Sequence, residues 1–151
     1  MRITMIAALS IATAATALPL AAIVHADRSY YAFLSPSGNI RCVLSSDNSP
    51  TPIAECQIGN HTYVAPPASP CADGGAAPGW QFRLDQGKQP YLPCENSALD
   101  SGVGNQLPTL AYGHAKSLGS ITCDSEPTGM TCTDSSTGHF FRVSQQSYQL
   151  G

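Results

Sequence analysis

The chain has 151 residues, enough for one domain, and carries seven Lys and Arg against ten Asp and Glu for a net charge of −3. That balance excludes the basic surface that nucleic acid demands and gives no electrostatic grip on an anionic lipid face. Only 11% of the residues are charged, which suits a loop-rich extracellular fold better than a helical cytosolic one.

The first 26 residues stand apart. Arg2 is a short positive lead, residues 3–24 carry no charge and are mostly Ala, Ile, Leu and Thr, and Val24-His25-Ala26 places small residues at −3 and −1 of a cut between Ala26 and Asp27. This is the pattern of a secretory signal peptide, formed as a helix and then removed. A membrane anchor is the rival, since about 20 apolar residues can span a bilayer. The Ala-rich run, the internal Pro19 and the cleavage site favour the signal. The expected products are therefore a signal peptide, 1–26, and one exported domain, 27–151, with no membrane segment after cleavage. Its six basic and ten acidic residues leave a net charge near −4.

Strand-like stretches follow in quick succession at 30–34, 39–44, 54–58, 62–64, 80–84, 107–112, 120–124, 130–133 and 139–143, with a short last one at 147–150. Turn-forming clusters separate them, and no window outside the leader has convincing helical periodicity. Segments 65–79, rich in Pro, Ala and Gly, and 96–105 read as irregular loops. The predicted fold is all-β: a small disulfide-stapled sandwich or partly open barrel built of antiparallel hairpins.

Cys42, Cys56, Cys71, Cys94, Cys123 and Cys132 all fall in the exported part. An even number in a secreted chain reads as three disulfides, although six cysteines allow 15 connectivities. Zinc is the alternative. It is disfavoured because no C-x2-C pair exists and no His sits at ligand spacing beside a Cys. Hairpin geometry narrows the pairing. Ile40, Cys42 and Leu44 alternate with Arg41, Val43 and Ser45, and a dense turn cluster, Asp47 to Pro52, precedes Cys56 and Ile58. A hairpin centred near Ser49 sets Cys42 opposite Cys56. Glu126-Pro127-Thr128-Gly129 has Pro second and Gly fourth, as a type I turn prefers, and sets Cys123 opposite Cys132. Elimination leaves Cys71 with Cys94. In this reading Ser35-Pro36-Ser37-Gly38-Asn39-Ile40-Arg41-Cys42 and its echo Gly119-Ser120-Ile121-Thr122-Cys123 are folding devices: Gly ends a turn, Ile enters the core, and Cys pins the register. An old duplication and convergent hairpin chemistry both account for the echo.

Catalytic patterns are thin. His61, His114 and His139 are the histidines after the leader, and Glu126 and Asp134 lie near His139 in sequence. In a Ser-rich chain this does not amount to a triad. Ser35-Pro36-Ser37-Gly38 lacks the first Gly and the strand–turn–helix setting of a nucleophile elbow. Residues 100–105 lack calcium-ligand spacing, and Gly74-Gly75 is no phosphate loop. No metal or other cofactor is expected. Asn60-His61-Thr62 has the form of a glycosylation sequon. Trp80, Phe82, Tyr91, Tyr112 and Phe140 are the large rings a binding face would draw on, against a structural reading in which most are core. In a strand, neighbours point to opposite faces, so Phe140 and Phe141 cannot share one core face. Phe141 and Val143 make the better core pair, which puts Phe140 and Arg142, with His139 nearby, on a candidate binding surface.

The phrases Phe33-x-Ser35-Pro36-Ser37-Gly38-Asn39-Ile40-x-Cys42, Tyr112-Gly113, Gly119-Ser120-Ile121-Thr122-Cys123, Gly129-Met130-Thr131-Cys132, Thr137-Gly138-His139-Phe140-Phe141 and Ser144-x-x-x-Tyr148 together resemble a family of small exported, disulfide-containing actinobacterial proteins, common in mycobacteria, whose function is unassigned. The resemblance spans nearly the whole exported part. The order His139-Phe140-Phe141 and the Pro-Gly loop before Trp80 depart from it. It implies export and disulfides and carries no catalytic residue. The expectation from the residues is a monomeric, non-enzymatic domain, secreted or held in the cell envelope, that binds an envelope or extracellular partner. The alternatives are a small disulfide-stabilised hydrolase with His139 as base, and a secreted inhibitor presenting loop 65–79.

Overall fold

The computed structural model describes residues 29–46, 51–64, 79–94, 99 and 106–151. The leader with its Ala26–Asp27 site, Cys71, and most of loops 65–79 and 96–105 lie outside the described residues.

Nine strands form two antiparallel meanders. The first holds β1 (Ser29–Leu34), β2 (Ile40–Ser46), β3 (Ile53–Ile58) and β4 (Gln81–Asp85). The second holds β5 (His114–Leu118), β6 (Ile121–Glu126), β7 (Gly129–Asp134), β8 (Phe140–Val143) and β9 (Tyr148–Leu150). The protein is all-β, as its turn-separated alternating stretches require, and the described residues contain no helix.

Alternation decides what each sheet buries. Ile40, Cys42 and Leu44 of β2, Ala54, Cys56 and Ile58 of β3, and Phe82 and Leu84 of β4 point inward. From the second sheet come Ile121 and Cys123, Met130 and Cys132, and Phe141 and Val143. Both rows of cysteines lie in the predicted register. Cys42 faces Cys56 with Cα atoms 4.1 Å apart, and Cys123 faces Cys132 at 4.0 Å, and each pair is disulfide-bonded. Such close approach belongs to non-hydrogen-bonded antiparallel pairs. Cys94 is also in a disulfide, and its expected partner, Cys71, is outside the described residues.

The two sheets repeat one plan. The row Cys42–Cys56–Phe82 in the first corresponds to Cys123–Cys132–Phe141 in the second. Equivalent residues meet across the interface: Cys56 Sγ lies 3.8 Å from Cys132 Sγ, and the Phe82 and Phe141 rings stack at 5.8 Å. Corresponding residues of the two sheets thus face each other at the centre of the sandwich, as in a self-complementary interface.

The strands depart from the sequence expectation at three places. Residues 107–112 are not a strand. Pro108 cannot donate to a ladder, and the segment instead makes a single parallel bridge, in which Leu34 N donates to Pro108 O and Leu110 N to Leu34 O. The strand lies just beyond, as β5. It was hidden because His114-Ala115-Lys116-Ser117-Leu118 is an edge strand, mostly exposed and free of β-branched residues. Residues 62–64 are not a strand either. Thr62 N bonds Gln145 O, the Tyr63 hydroxyl donates to Gly79 O, and Val64 is 90% exposed.

The ends of the sandwich differ in character. At one end Asp134 ties the sheets together. Its carboxylate is 0% exposed and accepts the Gly87 amide at 2.6 Å, the Ser136 amide at 2.9 Å and hydroxyl at 2.7 Å, and the Thr137 hydroxyl at 3.3 Å. Burial alone would push this carboxyl up. The donors from Gly87, Ser120 and Ser136 outweigh it and hold the group far below the usual carboxylate range. Ser120 Oγ has no hydrogen bond of normal geometry, so its share in this comes from a nearby dipole rather than a formed bond. The outer face of the first sheet carries an ion cluster in which Arg83 joins Glu55 at 3.2 Å and Asp85 at 2.8 Å. Tyr91 pairs with Arg83 along the edge of β4, and Leu99 N donates to the buried Gln57 on that outer face. The opposite end of the sandwich is open.

Candidate functional site

Five chain segments converge at that open end around a groove of about 560 Å3, within the range of about 300–1,000 Å3 typical of small-ligand sites. Each wall follows from local sequence. In Ser35-Pro36-Ser37-Gly38, Pro36 presets the second turn position, Gly38 takes φ +71°, and Gly38 N closes on Ser35 O at 2.8 Å. Ser35 Oγ accepts the Ile40 amide, so the hydroxyl is spent on holding the turn.

Asn39 then clamps this turn to the end of β3. Its Oδ1 accepts Asn60 N at 2.8 Å, its Nδ2 donates to Asn60 O at 2.9 Å, and its backbone carbonyl accepts Gly59 N. The side-chain amide thereby imitates one more step of a β-ladder. The Asn60 side chain is left facing outward, and no hydrogen bond among the described residues engages it.

The second sheet supplies the facing wall. Pro127 and Thr128 bridge Glu126 and Gly129 in the β6–β7 turn. Gly129 is required there: its φ is +133°, and a Cβ would collide with the Val143 carbonyl oxygen. In the β8–β9 turn, Ser144 Oγ accepts Ser147 N at 3.1 Å, which leaves Gln145 and Gln146 at the tip, exposed and with unengaged side-chain amides among the described residues. Thr62 donates through its amide and hydroxyl to Gln145 O, tying the two walls together. Tyr112, 44% exposed, completes the lining just before β5.

Among the described residues the groove thus presents amides, hydroxyls, glycine backbone, one aromatic ring and one carboxylate, with no Lys, Arg or His in its wall. A second depression of about 500 Å3 flanks the same turn on its other side, with Arg41, His61 and Trp80 in its wall.

The residues expected from sequence as a binding surface lie outside the groove lining, although one is linked to it from behind. Phe141 and Val143 are buried and Phe140 and Arg142 share the outer face of β8, as alternation demands. The Phe140 ring packs against Gly151. Arg142 Nη2 donates to Thr128 Oγ1 at 2.7 Å, and Thr128 Oγ1 donates to Glu126 Oε2 at 3.2 Å. Arg142 therefore stands behind the groove's carboxylate through one hydroxyl.

The structure does not gather the three histidines. His61 stacks on Tyr63, His114 contacts Tyr112 O, and His139 Nε2 lies 3.3 Å from Gln89 Nε2. Asp134, near His139 in sequence, is consumed by its own turn. The sulfurs of Cys42, Cys56 and Cys132 lie within 4.8 Å of one another, but all three are tied up in disulfides and offer no thiolate to a metal.

Of the groove's lining, sequence reasoning singled out Tyr112 as a candidate binding ring, read Asn39 as part of a folding device and Asn60 as part of a sequon, and missed Gln145 and Gln146. The usable signal was amide side chains at turn tips, in Gly38-Asn39, Gly59-Asn60 and Gln145-Gln146.

Compared with known proteins, the chain matches no curated protein and no solved structure. A match over residues 7–150, nearly the full length, shows that the chain belongs to DUF6636, a family of unknown function.

Proposed function

We propose that this protein is an exported, non-enzymatic binding domain of the cell envelope or extracellular space, and that its ligand sits in the open-end groove. Export follows from the leader and is supported by the buried disulfides, which persist in oxidising compartments. Cleavage after Ala26 gives a secreted chain that starts at Asp27, and intact-mass measurement of secreted protein checks this. A chain that retains Met1 overturns it.

One observation carries the binding reading. The groove combines preorganised walls with amide side chains that have no partner among the described residues, and Glu126 is the single carboxylate among its described lining residues. Hydrolysis of a glycosidic bond in the usual way takes two carboxyl groups about 5–9.5 Å apart. Acyl transfer takes a nucleophile beside a base, and no His lies among the described lining residues. The arrangement recognises a ligand and leaves its bonds alone.

The test uses backbone amide resonances of the secreted, oxidised protein, titrated with a panel of neutral, anionic and cationic small polar compounds. Shifts should cluster at Gly38, Gly59, Asn60, Gly129 and Gln146, and every compound should be recovered unchanged. Shifts confined to Phe140 and Arg142, or turnover of a compound, would overturn the reading.

A further inference from the structure

Taking the groove reading as its basis, we infer that the ligand is a neutral glycan, stacked on Tyr112 and hydrogen-bonded by Glu126, Asn60, Gln145 and Gln146. Charge removes the first set of competitors. Among the described residues Glu126 is the one charged group in the wall, and Arg142 stands behind it through Thr128 rather than in the groove, so phosphate, carboxylate and sulfate groups, and with them nucleic acid and acidic sugars, would meet a carboxylate and no cation in the wall.

Hydrogen-bonding capacity removes the second. A side-chain amide both donates and accepts, and a carboxylate accepts from two donors. A sugar hydroxyl both donates and accepts, so a ring bearing several matches this set at each position. Tyr112 adds the flat apolar face against which the C–H side of a pyranose or furanose packs, while its hydroxyl stays wet.

A peptide fits less well. Peptide sites rely on an open sheet edge, an apolar groove, an aromatic-lined channel or a charge cluster. The lining here comes from turns rather than a strand edge, has one ring, and has no side-chain pocket of apolar character.

The walls are also rigid where a sugar site needs them to be. The Asn39 amide holds the Asn60 backbone at both its N–H and its carbonyl, Thr62 holds the Gln145 carbonyl, and Arg142 is linked to Glu126 through Thr128. Ordering costs fall on binding when the site is already ordered, which matters for ligands whose hydroxyls give up water to bind.

The experiment titrates the secreted, oxidised protein with linear hexasaccharides of neutral hexose, pentose and N-acetylhexosamine, with a polygalacturonate oligomer and a Ser/Gln hexapeptide alongside. At least one neutral oligosaccharide should give saturable amide shifts at Gly38, Gly59, Asn60 and Gly129. Tyr112→Ala and Gln146→Ala should each weaken that binding at least tenfold, while Thr133→Ala, on the outer face of β7, leaves it unchanged. Shifts at these amides from the peptide or the acidic oligomer, with none from any neutral oligosaccharide up to millimolar concentration, overturn the glycan assignment and leave the groove reading standing. Shifts on the outer face of β8 in place of the groove overturn both.

Discussion

Replacing Asp134 with Asn tests whether the closed end of the sandwich is held by charge. Oδ1 accepts the Ser136 amide and hydroxyl, and Oδ2 accepts the Gly87 amide and the Thr137 hydroxyl. An Asn side chain has one acceptor, so either orientation turns an NH2 donor towards a backbone N–H donor. One buried donor loses its partner, at about 1–3 kcal/mol, and the remaining bonds lose their charge assistance. The expected loss is about 2–4 kcal/mol, or roughly 6–20 °C in Tm for a domain of this size. Thermal unfolding followed by circular dichroism on the oxidised protein reads it. The pH dependence gives a second reading. Because the folded carboxyl titrates far below its unfolded range near 3.9, its contribution is fully present above about pH 5 and drains away as pH falls through the folded value. The native protein should therefore lose stability in acid faster than Asp134→Asn, and the gap between them should narrow as the pH drops. A loss below about 0.5 kcal/mol at neutral pH, or a gap that stays constant into acid, refutes the account.

Three further changes follow from the packing. Gly129→Ala forces a Cβ against the Val143 carbonyl at positive φ and should cost about 2–4 kcal/mol by chemical denaturation; a neutral result means that the β6–β7 turn can re-form. Ser125 is 1% exposed in the β6 core row and its hydroxyl has no partner among the described residues, so Ser125→Ala should raise stability by about 1 kcal/mol; a drop would reveal a partner for that hydroxyl. In the double variant Cys42→Ser and Cys123→Ser, the remaining thiols lie where the sulfurs now sit 3.8 Å apart, so oxidation should give a Cys56–Cys132 bond between the sheets, seen by non-reducing peptide mapping. Two thiols that still alkylate after oxidation would count against the sulfur stack.

Much of the fold was legible because cysteine and turn chemistry act locally. Pro127 and Gly129 set one hairpin and the Asp47–Pro52 cluster the other, and each register brings two cysteines face to face. Edge strands escape this logic. β5 needs only one flank of hydrogen bonds and no buried row, so His114-Ala115-Lys116-Ser117-Leu118 carries no alternation to read. Asp134 was legible in part, since Asp-Ser-Ser-Thr-Gly is the composition of a side-chain-capped turn; its bond to Gly87, 47 residues away, was not. The groove was least legible of all. Its residues come from five turns that only the packing of two sheets brings together, and amides at turn tips look like ordinary solvent-facing residues until their neighbours are known. The link from Arg142 to Glu126 shows the same limit, because an Arg expected to meet a partner on its own face is spent on a turn of its own sheet.

The meeting of corresponding residues at the sulfur stack also bears on assembly. An interface in which Cys56 meets Cys132 and Phe82 meets Phe141 is the contact that two separate chains, each a single stapled meander, would make as a symmetric dimer. One covalent connection between the halves turns a concentration-dependent association into a folding step, since the tethered partner is present at high effective concentration. It also frees the halves from identity. Once joined, they need match only where they touch, and each end of the sandwich is free to specialise. In this chain the rows of Cys and Phe correspond, while Asp134 seals one end and the amide-bearing turns leave the other open.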